Sequence, residues 1–326
     1  MRLSAGALFA VPVLAALSLA CEGRTGAPRV TPSAAGGTPA GELAFERDVA
    51  GNVDLYVIPA GGGAERRLTD HPGADSLPRW SPDGARVVFT SDRTGRPQLW
   101  EVPARGGEAR RLRTNEATEY QADVSPDGRR LAFLSNLDGP ERLLAQDLAG
   151  GAVRELVRHG DRTIFGNPHW SPDGRFITYS SNFRIGHQIY VVEVATGEER
   201  RISPILTGGC EPRFSRDGRK VVYVSRGHMR PTSRLVEHDL ATGEEKALVS
   251  WPALNYDPVY SPDGTELAFA SNITGAYAIY RQRLADSQAW RVTFGPGDAR
   301  SPDYRPAAGG TGGRQAPRLE SPPRLR

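Results

Sequence analysis

Cysteine is scarce in this chain of 326 residues, which contains only Cys21 and Cys210. A disulfide framework needs several pairs, and a cysteine-based zinc site needs neighbouring thiolates. Cys21 ends an apolar N-terminal segment, and Cys210 stands alone at the start of a predicted strand. Disulfides and cysteine-bound zinc are therefore excluded as the basis of the fold.

Motifs of the large enzyme classes are also missing. The chain has no Gly-x-Ser-x-Gly nucleophile motif, no phosphate-binding loop and no dinucleotide-binding glycine fingerprint. We therefore predict no catalytic residue and no cofactor.

The net positive charge comes from the two ends of the chain. The formal net charge is +3, to which residues 1–41 contribute +2 and the residues from Ala307 onward contribute +3. The middle of the chain therefore carries a charge of −2. Because nucleic-acid binding requires a basic patch, nucleic acid is not an expected partner.

The N-terminal apolar run is too short to cross a membrane as a helix. Ala5–Ala20 has 16 residues and contains Pro12, whereas a membrane-spanning helix needs about 20 apolar residues. Met1-Arg2 places a positive charge before the run, as in secretory signal peptides. Residues 1–20 are therefore predicted to be a signal peptide.

The residues Leu17-Ser18-Leu19-Ala20-Cys21 resemble a bacterial lipobox, the signal in which the cysteine is acylated and becomes the mature N-terminus. An ordinary signal peptide that is cleaved after Ala20 is the alternative. The resemblance implies a lipid anchor on Cys21 and a location on the periplasmic side of the cell envelope. Glu22, in place of an aspartate, favours the outer membrane.

Two segments are rich in small and polar residues. Residues 21–41 contain mainly Gly, Pro, Ala, Ser and Thr, which predicts a flexible linker. Residues 307–326 have the same character and are predicted to be a disordered tail. The folded domain is therefore expected over residues 42–306.

One pattern repeats within this domain. Ser-Pro-Asp-Gly begins at Ser81, Ser125, Ser171 and Ser261, and Ser215-Arg216-Asp217-Gly218 is a variant of it. The serines are 44, 46, 44 and 46 residues apart, and periods of about 40–45 residues are typical of four-stranded propeller blades. Proline, aspartate and glycine suit a tight turn, so the repeated aspartate is predicted to be a turn residue.

Around each turn the sequence predicts four strands in a fixed order. A short strand ends in Pro-x-aromatic, as in Pro78-Arg79-Trp80, and the turn is followed by a β-branched run such as Arg86–Thr90. A third strand and a basic outer strand complete the unit, because charge protects an exposed edge from pairing.

The two ends of the array complement each other. Residues 41–70 begin directly at a second strand, whereas Ser301–Pro306 aligns with a first strand that nothing follows. We therefore predict an all-β fold, a six-bladed β-propeller of four-stranded antiparallel blades. Its ring is closed by pairing the C-terminal strand with the three N-terminal ones.

The repeat Pro-x-aromatic-Ser-Pro-Asp-Gly, with Arg67-Leu68-Thr69 closing a blade, resembles the TolB-type, WD40-like propeller repeat over about residues 42–306. The resemblance implies a protein-binding role in the cell envelope. The α/β domain that precedes the propeller in TolB is expected to be absent, because the propeller begins about twenty residues after Cys21.

First strands line the channel of a propeller, so the polar residues beside the repeat proline are the candidate ligand-binding or partner-binding residues. A polar lining may also reflect nothing more than a channel filled with water. We predict no metal site: oligogalacturonate lyases have similar repeats and a histidine-rich manganese site, but His169 is the only histidine in this ring. The candidates are Gln121, Asp123, Asn167, His169, Glu211, Arg213, Asp257, Arg300 and Asp303, with Arg79 and Ser301 beside them.

These observations predict a non-enzymatic envelope lipoprotein, a monomer that binds a protein or peptide partner at one propeller face. Two alternatives stay open. One is a lyase or hydrolase that acts at the channel mouth on a polysaccharide or small ester, and the other is a sensor of a small ligand. The sequence does not identify the partner or the face that binds it.

Overall fold

A computed structural model of the chain describes residues 30–32, 41–137, 139–183, 186–204, 207–226 and 231–307. The strands are numbered along the chain, and the first four are β1 (Val30–Pro32), β2 (Glu42–Val49), β3 (Asn52–Pro59) and β4 (Arg66–Arg67).

Five consecutive blades follow. Their strands are β5 (Asp75–Trp80), β6 (Arg86–Ser91), β7 (Gln98–Pro103) and β8 (Arg110–Arg111) in blade 1; β9 (Glu119–Val124), β10 (Arg130–Ser135), β11 (Arg142–Asp147) and β12 (Arg154–Val157) in blade 2; β13 (Phe165–Trp170), β14 (Phe176–Ser181), β15 (Gln188–Glu193) and β16 (Glu199–Arg201) in blade 3; β17 (Cys210–Phe214), β18 (Lys220–Ser225), β19 (Arg234–Asp239) and β20 (Glu245–Val249) in blade 4; and β21 (Asn255–Tyr260), β22 (Glu266–Ser271), β23 (Ala278–Arg283) and β24 (Ala289–Arg291) in blade 5.

The last strand, β25 (Asp298–Tyr304), completes blade 6. It pairs antiparallel with β2, so that the order in this sheet is β25-β2-β3-β4. Six blades thus form a closed ring, and the predicted all-β six-bladed propeller with its closure scheme is confirmed.

The apolar core is divided among the interfaces between blades. Each of six clusters of buried residues joins one pair of neighbouring blades. Between blades 6 and 1, for example, Leu55 and Val57 pack with Trp80, Val87 and Phe89. The second strands contribute to clusters on both of their faces, which explains their β-branched and aromatic sequences.

Each Ser-Pro-Asp-Gly turn closes on itself through its serine. Ser81 Oγ donates to Asp83 Oδ1 at 2.5 Å and accepts a hydrogen bond from the backbone N–H of Arg86 at 3.0 Å. Gly84 has a φ of +66°, and a Cβ there would lie 3.0 Å from Arg305 Nε. Only glycine therefore fits without strain. The same serine–aspartate bond recurs in the other four turns, so the repeated aspartate lies in a turn in each copy.

The two faces of the propeller differ in their connections. The turn face carries the Ser-Pro-Asp-Gly turns. The opposite side, here called the loop face, carries the loops between second and third strands and the loops from one blade to the next.

One segment of the predicted linker is a strand. β1 pairs in parallel with β24 and adds a fifth strand at the outer edge of blade 5, with Val30 opposite Ala289. The prediction of a flexible linker over residues 21–41 is therefore wrong for these three residues. The predicted signal peptide, Cys21 and all of the predicted tail except Ala307 lie outside the described residues.

Within the described ranges, no helix is long and apolar enough to cross a bilayer.

Candidate functional site

Each first strand contains a bulge at the residue before the repeat proline, whose position is occupied by Ala122 in blade 2. At this point the pairing with the second strand shifts register, and the bulged residue adopts a left-handed backbone with φ between 51° and 57°. These six residues, the bulge ring, are Leu77, Gln121, Asn167, Glu211, Asp257 and Ser301. A bulge takes the extra residue out of the sheet ladder, so its backbone N–H needs another acceptor.

Several of the predicted site residues supply that acceptor. The N–H of Asn167 donates to Gln121 Oε1 of the preceding blade at 2.7 Å, and the N–H of Asp257 donates to Glu211 Oε2 at 2.6 Å. The N–H of Ser301 donates to Asp257 Oδ2 at 3.1 Å. Gln121, Glu211 and Asp257 therefore join neighbouring blades, which is a structural role for polar groups in the channel.

Where the bulge-ring residue of the preceding blade is apolar or short, a side chain on the second strand of that blade supplies the acceptor instead. The N–H of Gln121 donates to Thr90 Oγ1 at 3.1 Å, because Leu77 has no acceptor in its side chain. The N–H of Leu77 donates to Glu46 Oε2 at 2.7 Å. Glu46 was not among the predicted residues. In the sequence, Glu46 is marked by a departure from the repeat. The corresponding residues of the other second strands carry no carboxylate; they are Thr90, Leu134, Ser180, Val224 and Ala270.

The residues after the repeat proline form a second layer with the same function. Asp123 Oδ2 accepts the backbone N–H of Trp170 at 2.8 Å, and Asp303 Oδ2 accepts that of Trp80 at 2.8 Å. Each indole Nε1 also donates to the backbone oxygen of the same aspartate at 3.1 Å. These bonds connect blade 2 to blade 3 and blade 6 to blade 1.

His169 and Arg213 occupy this second layer in blades 3 and 4. His169 Nδ1 accepts the N–H of Phe214 at 3.3 Å, which requires a neutral ring at that nitrogen. Burial lowers the pKa of His169 to about 3, and the positive charges of Arg79 and Arg216 act in the same direction. Arg213 is buried, and its Nη1 has no hydrogen-bond partner.

The pKa values of five channel carboxyl groups are raised. Burial raises the pKa of Glu46 and of Asp123 to about 7 in each case. Burial also raises the pKa of Glu211, where the neighbouring Asp257 acts in the same direction. The pKa values of Asp257 and Asp303 are raised chiefly by burial as well.

A group of larger side chains lies at the channel mouth on the loop face. The Arg300 guanidinium lies 3.7 Å from the centre of the Tyr277 ring and 3.4 Å from Asp298. Arg226 donates to the hydroxyl of Tyr256 and lies 5.1 Å from the centre of its ring.

Of this mouth cluster, only Arg300 was predicted. The signal for Arg226 is a departure from the repeat, because an Asp or Asn follows the last serine of the second strand in blades 1, 2, 3 and 5. Tyr256 and Tyr277 have no such signal, since aromatic residues also occur throughout the core.

The described residues contain no cluster of three or more His, Cys, Asp or Glu side chains suited to a metal ion. His159 Nδ1 lies 3.4 Å from Ser181 Oγ and its Nε2 lies 3.0 Å from Glu199. However, Ser181 is fully buried and the His159 ring stacks on Phe183, so no substrate reaches this serine.

Substitution of Gln121 tests the structural role of the bulge ring. Gln121→Leu should lower the free energy of unfolding by about 1–3 kcal/mol, because the N–H of Asn167 loses its acceptor. Urea unfolding measures the change. Gln146→Leu is the matched control, since Gln146 bonds only in an exposed turn. Equal stability of both variants would contradict the assigned role.

Comparison with known proteins is consistent with this geometry. The sequence matches the TolB beta propeller domain over residues 15–163 and 204–310. The chain belongs to the TolB β-propeller family.

Two curated relatives match parts of this TolB-family chain. The "Uncharacterized peptidase YuxL" of Bacillus subtilis is 30% identical over 152 residues, which cover 36% of this chain and 23% of that protein. The "Tol-Pal system protein TolB" of Francisella tularensis subsp. mediasiatica is 35% identical over 79 residues, 24% of this chain and 18% of that protein. The matched segments thus span less than a quarter of either relative.

A solved structure shares the fold. TolB from Acinetobacter baumannii superposes with a TM-score of 0.73 at 19% identity, covering 83% of this chain and 68% of that one. At this identity the similarity supports the architecture alone.

Proposed function

We propose that this protein is a non-enzymatic scaffold that binds a protein or peptide partner at the loop face of the propeller. The distribution of exposed apolar side chains carries the proposal. Among the described residues, five large apolar side chains are exposed, and Val49, Ile164, Phe183 and Phe294 lie on the loop face. Leu148 lies on the turn face. Exposed apolar groups on one face are typical of an interaction surface.

The mouth cluster strengthens the choice of face. Tyrosine and arginine are enriched where protein interfaces gain most of their affinity. Arg226, Tyr256, Tyr277 and Arg300 supply both types at the centre of the loop face. The deeper channel residues hold the blades together, so we assign partner contact to the mouth and rim.

An envelope location and a lipid anchor belong to the same proposal. The predicted signal peptide and the lipobox-like residues that end in Cys21 support both, and membership of the TolB family supports the envelope. One relative is named as a Tol-Pal system protein, which favours an envelope protein or peptide as the partner.

Crosslinking in envelopes, followed by capture of the full chain, tests the proposal. The variant Ile164→Ser with Phe294→Ser removes two exposed apolar groups of the loop face, and Leu148→Ser is the matched control on the turn face. We expect the parent chain and the control to capture one defined partner, and the double variant to capture at least about tenfold less. Equal capture by all three chains would refute the loop face as the binding surface.

An enzyme is the second candidate, favoured by the peptidase-named relative and by the adjacent carboxyl groups of Glu211 and Asp257. Two neighbouring carboxyl groups, one protonated and one ionised, can act as general acid and base on a polysaccharide or small ester. Turnover that is lost in Glu211→Gln would favour this candidate. Saturable binding of a small ligand without turnover would favour the sensor.

A further inference from the structure

A groove lies on the turn face where blade 6 meets blade 1. It has a volume of about 440 Å³, which is within the usual range of small-molecule sites. Three arginines and one carboxylate line it, namely Arg66, Arg105, Arg305 and Glu42. Ala85 and Pro103 add apolar walls. We call it the seam groove, because β2 begins and β25 ends beside it.

Two of its guanidinium groups are held in place by the backbone. Arg66 Nη2 donates to the carbonyl oxygen of Ala104 at 2.8 Å. Arg305 Nε donates to the carbonyl oxygen of Gly84 at 3.0 Å, and its Nη1 pairs with Glu42 at 2.7 Å. A fixed guanidinium loses little conformational entropy when it binds an anion, and several of its N–H groups remain available.

The positive charge of the groove is not neutralised. Within the described part of the chain, neither Arg66 nor Arg105 has a carboxylate within 4.0 Å. Glu42, which pairs with Arg305, is the one carboxylate among the lining residues. Arg67, the neighbour of Arg66, is paired with both Asp54 and Asp70. Of the two arginines of β4, the one that lines the groove is therefore the one whose charge is unpaired.

We infer that the seam groove binds a phosphate ester. Three guanidinium groups from separate segments can each donate to a different oxygen of a tetrahedral dianion, whereas a carboxylate offers two oxygens in one plane. The groove, at about 440 Å³, is more than ten times as large as the volume of about 30 Å³ that one water molecule occupies in the liquid. It therefore has room for more than a phosphate group. The apolar walls suit the organic part of the ester.

Binding there should also strengthen ring closure. Arg66 and Arg305 belong to blade 6, and Arg105 belongs to blade 1. A dianion held by all three would connect the composite blade to its neighbour. A ligand that binds only the folded chain stabilises it by mass action, so the melting temperature should rise with ligand concentration.

Calorimetric titration of the full chain with glycerol 1-phosphate tests this inference. We expect saturable binding, weakened at least about tenfold in the double variant Arg66→Gln with Arg105→Gln, because each charge-assisted hydrogen bond contributes strongly. Arg110→Gln is the matched control, an exposed arginine paired with Glu101 outside the groove. The melting temperatures of the unliganded chains show that the variants fold.

Two comparisons define the ligand class. Succinate, a dicarboxylate dianion, should bind at least about tenfold more weakly than glycerol 1-phosphate, because it lacks tetrahedral oxygens. Vesicles of phosphatidylcholine with phosphatidic acid distinguish the source: weaker association of the double variant than of the parent indicates a lipid headgroup, and equal association indicates a soluble ester. No saturable binding, equal affinity for succinate, or unchanged affinity in the double variant would overturn the inference.

Discussion

Removing β25 should abolish cooperative folding of the whole propeller. A chain that ends at Gly297 lacks the innermost strand of blade 6 and its ladder to β2. Ala299 and Tyr304 leave the core cluster between blades 5 and 6, and Trp80 loses its acceptor Asp303. Both interfaces of one blade are then opened at once.

The expected effect is large because of the way the core is divided. Each blade buries its apolar side chains only against its neighbours, so an open ring exposes two apolar interfaces that no central core can compensate. Loss of a buried tyrosine alone costs about 3–5 kcal/mol, which approaches the whole stability of many domains. We expect aggregation or a broad transition in thermal unfolding.

A second truncation separates this effect from simple shortening. A chain that ends at Ala307 keeps β25 and every contact described for it. It should unfold at the same temperature as the full chain. A single sharp transition at the parent temperature in the chain ending at Gly297 would show that closure by β25 is dispensable.

Stability should decrease as the pH rises from about 4 to about 7. Asp123 and Glu46 have pKa values of about 7 in the folded chain, and their ordinary values are 3.8 and 4.5. Between these limits the folded chain binds more protons than the unfolded chain, so deprotonation favours unfolding. For Asp123, which is 8% exposed, the difference between about 7 and 3.8 corresponds to roughly a few kcal/mol of stability.

Asp123→Asn should flatten this pH dependence. The amide oxygen can still accept the N–H of Trp170, but the side chain no longer titrates. Asp83→Asn is the control, because the pH dependence that Asp83 contributes has the opposite sign. The hydrogen bond from Ser81 lowers the pKa of Asp83, so its contribution to stability is lost on acidification. Urea unfolding at several pH values measures both. The same slope in Asp123→Asn and the parent chain would contradict the assignment.

The architecture could be predicted from the sequence because the repeat is regular. Four Ser-Pro-Asp-Gly copies and one variant define the register, and the missing first strand before Glu42 predicts closure by residues 301–306. The strand β1 could not be predicted, because Val30–Pro32 lies in a segment of linker-like composition. Its pairing depends on the free edge of β24, which only the folded blade provides.

The sequence places the candidate residues on the first strands, but it does not give their contacts. The pattern places Gln121, Glu211 and Asp257 around one ring, whereas the need for an acceptor arises from a bulge that no propensity predicts. Glu46 lies on a second strand and acts across a blade interface, so its role depends on the tertiary structure.

The closing strand also determines when the ring can form. Arg305 bonds to Glu42 across 263 residues of sequence, so a strand that is synthesised late completes a sheet begun by strands that are synthesised early. Contacts between such distant residues form slowly, because a long loop must be closed before they are made. Until the ribosome has released β25, the edge of β2 stays unpaired, and the nascent propeller needs protection from aggregation at that edge.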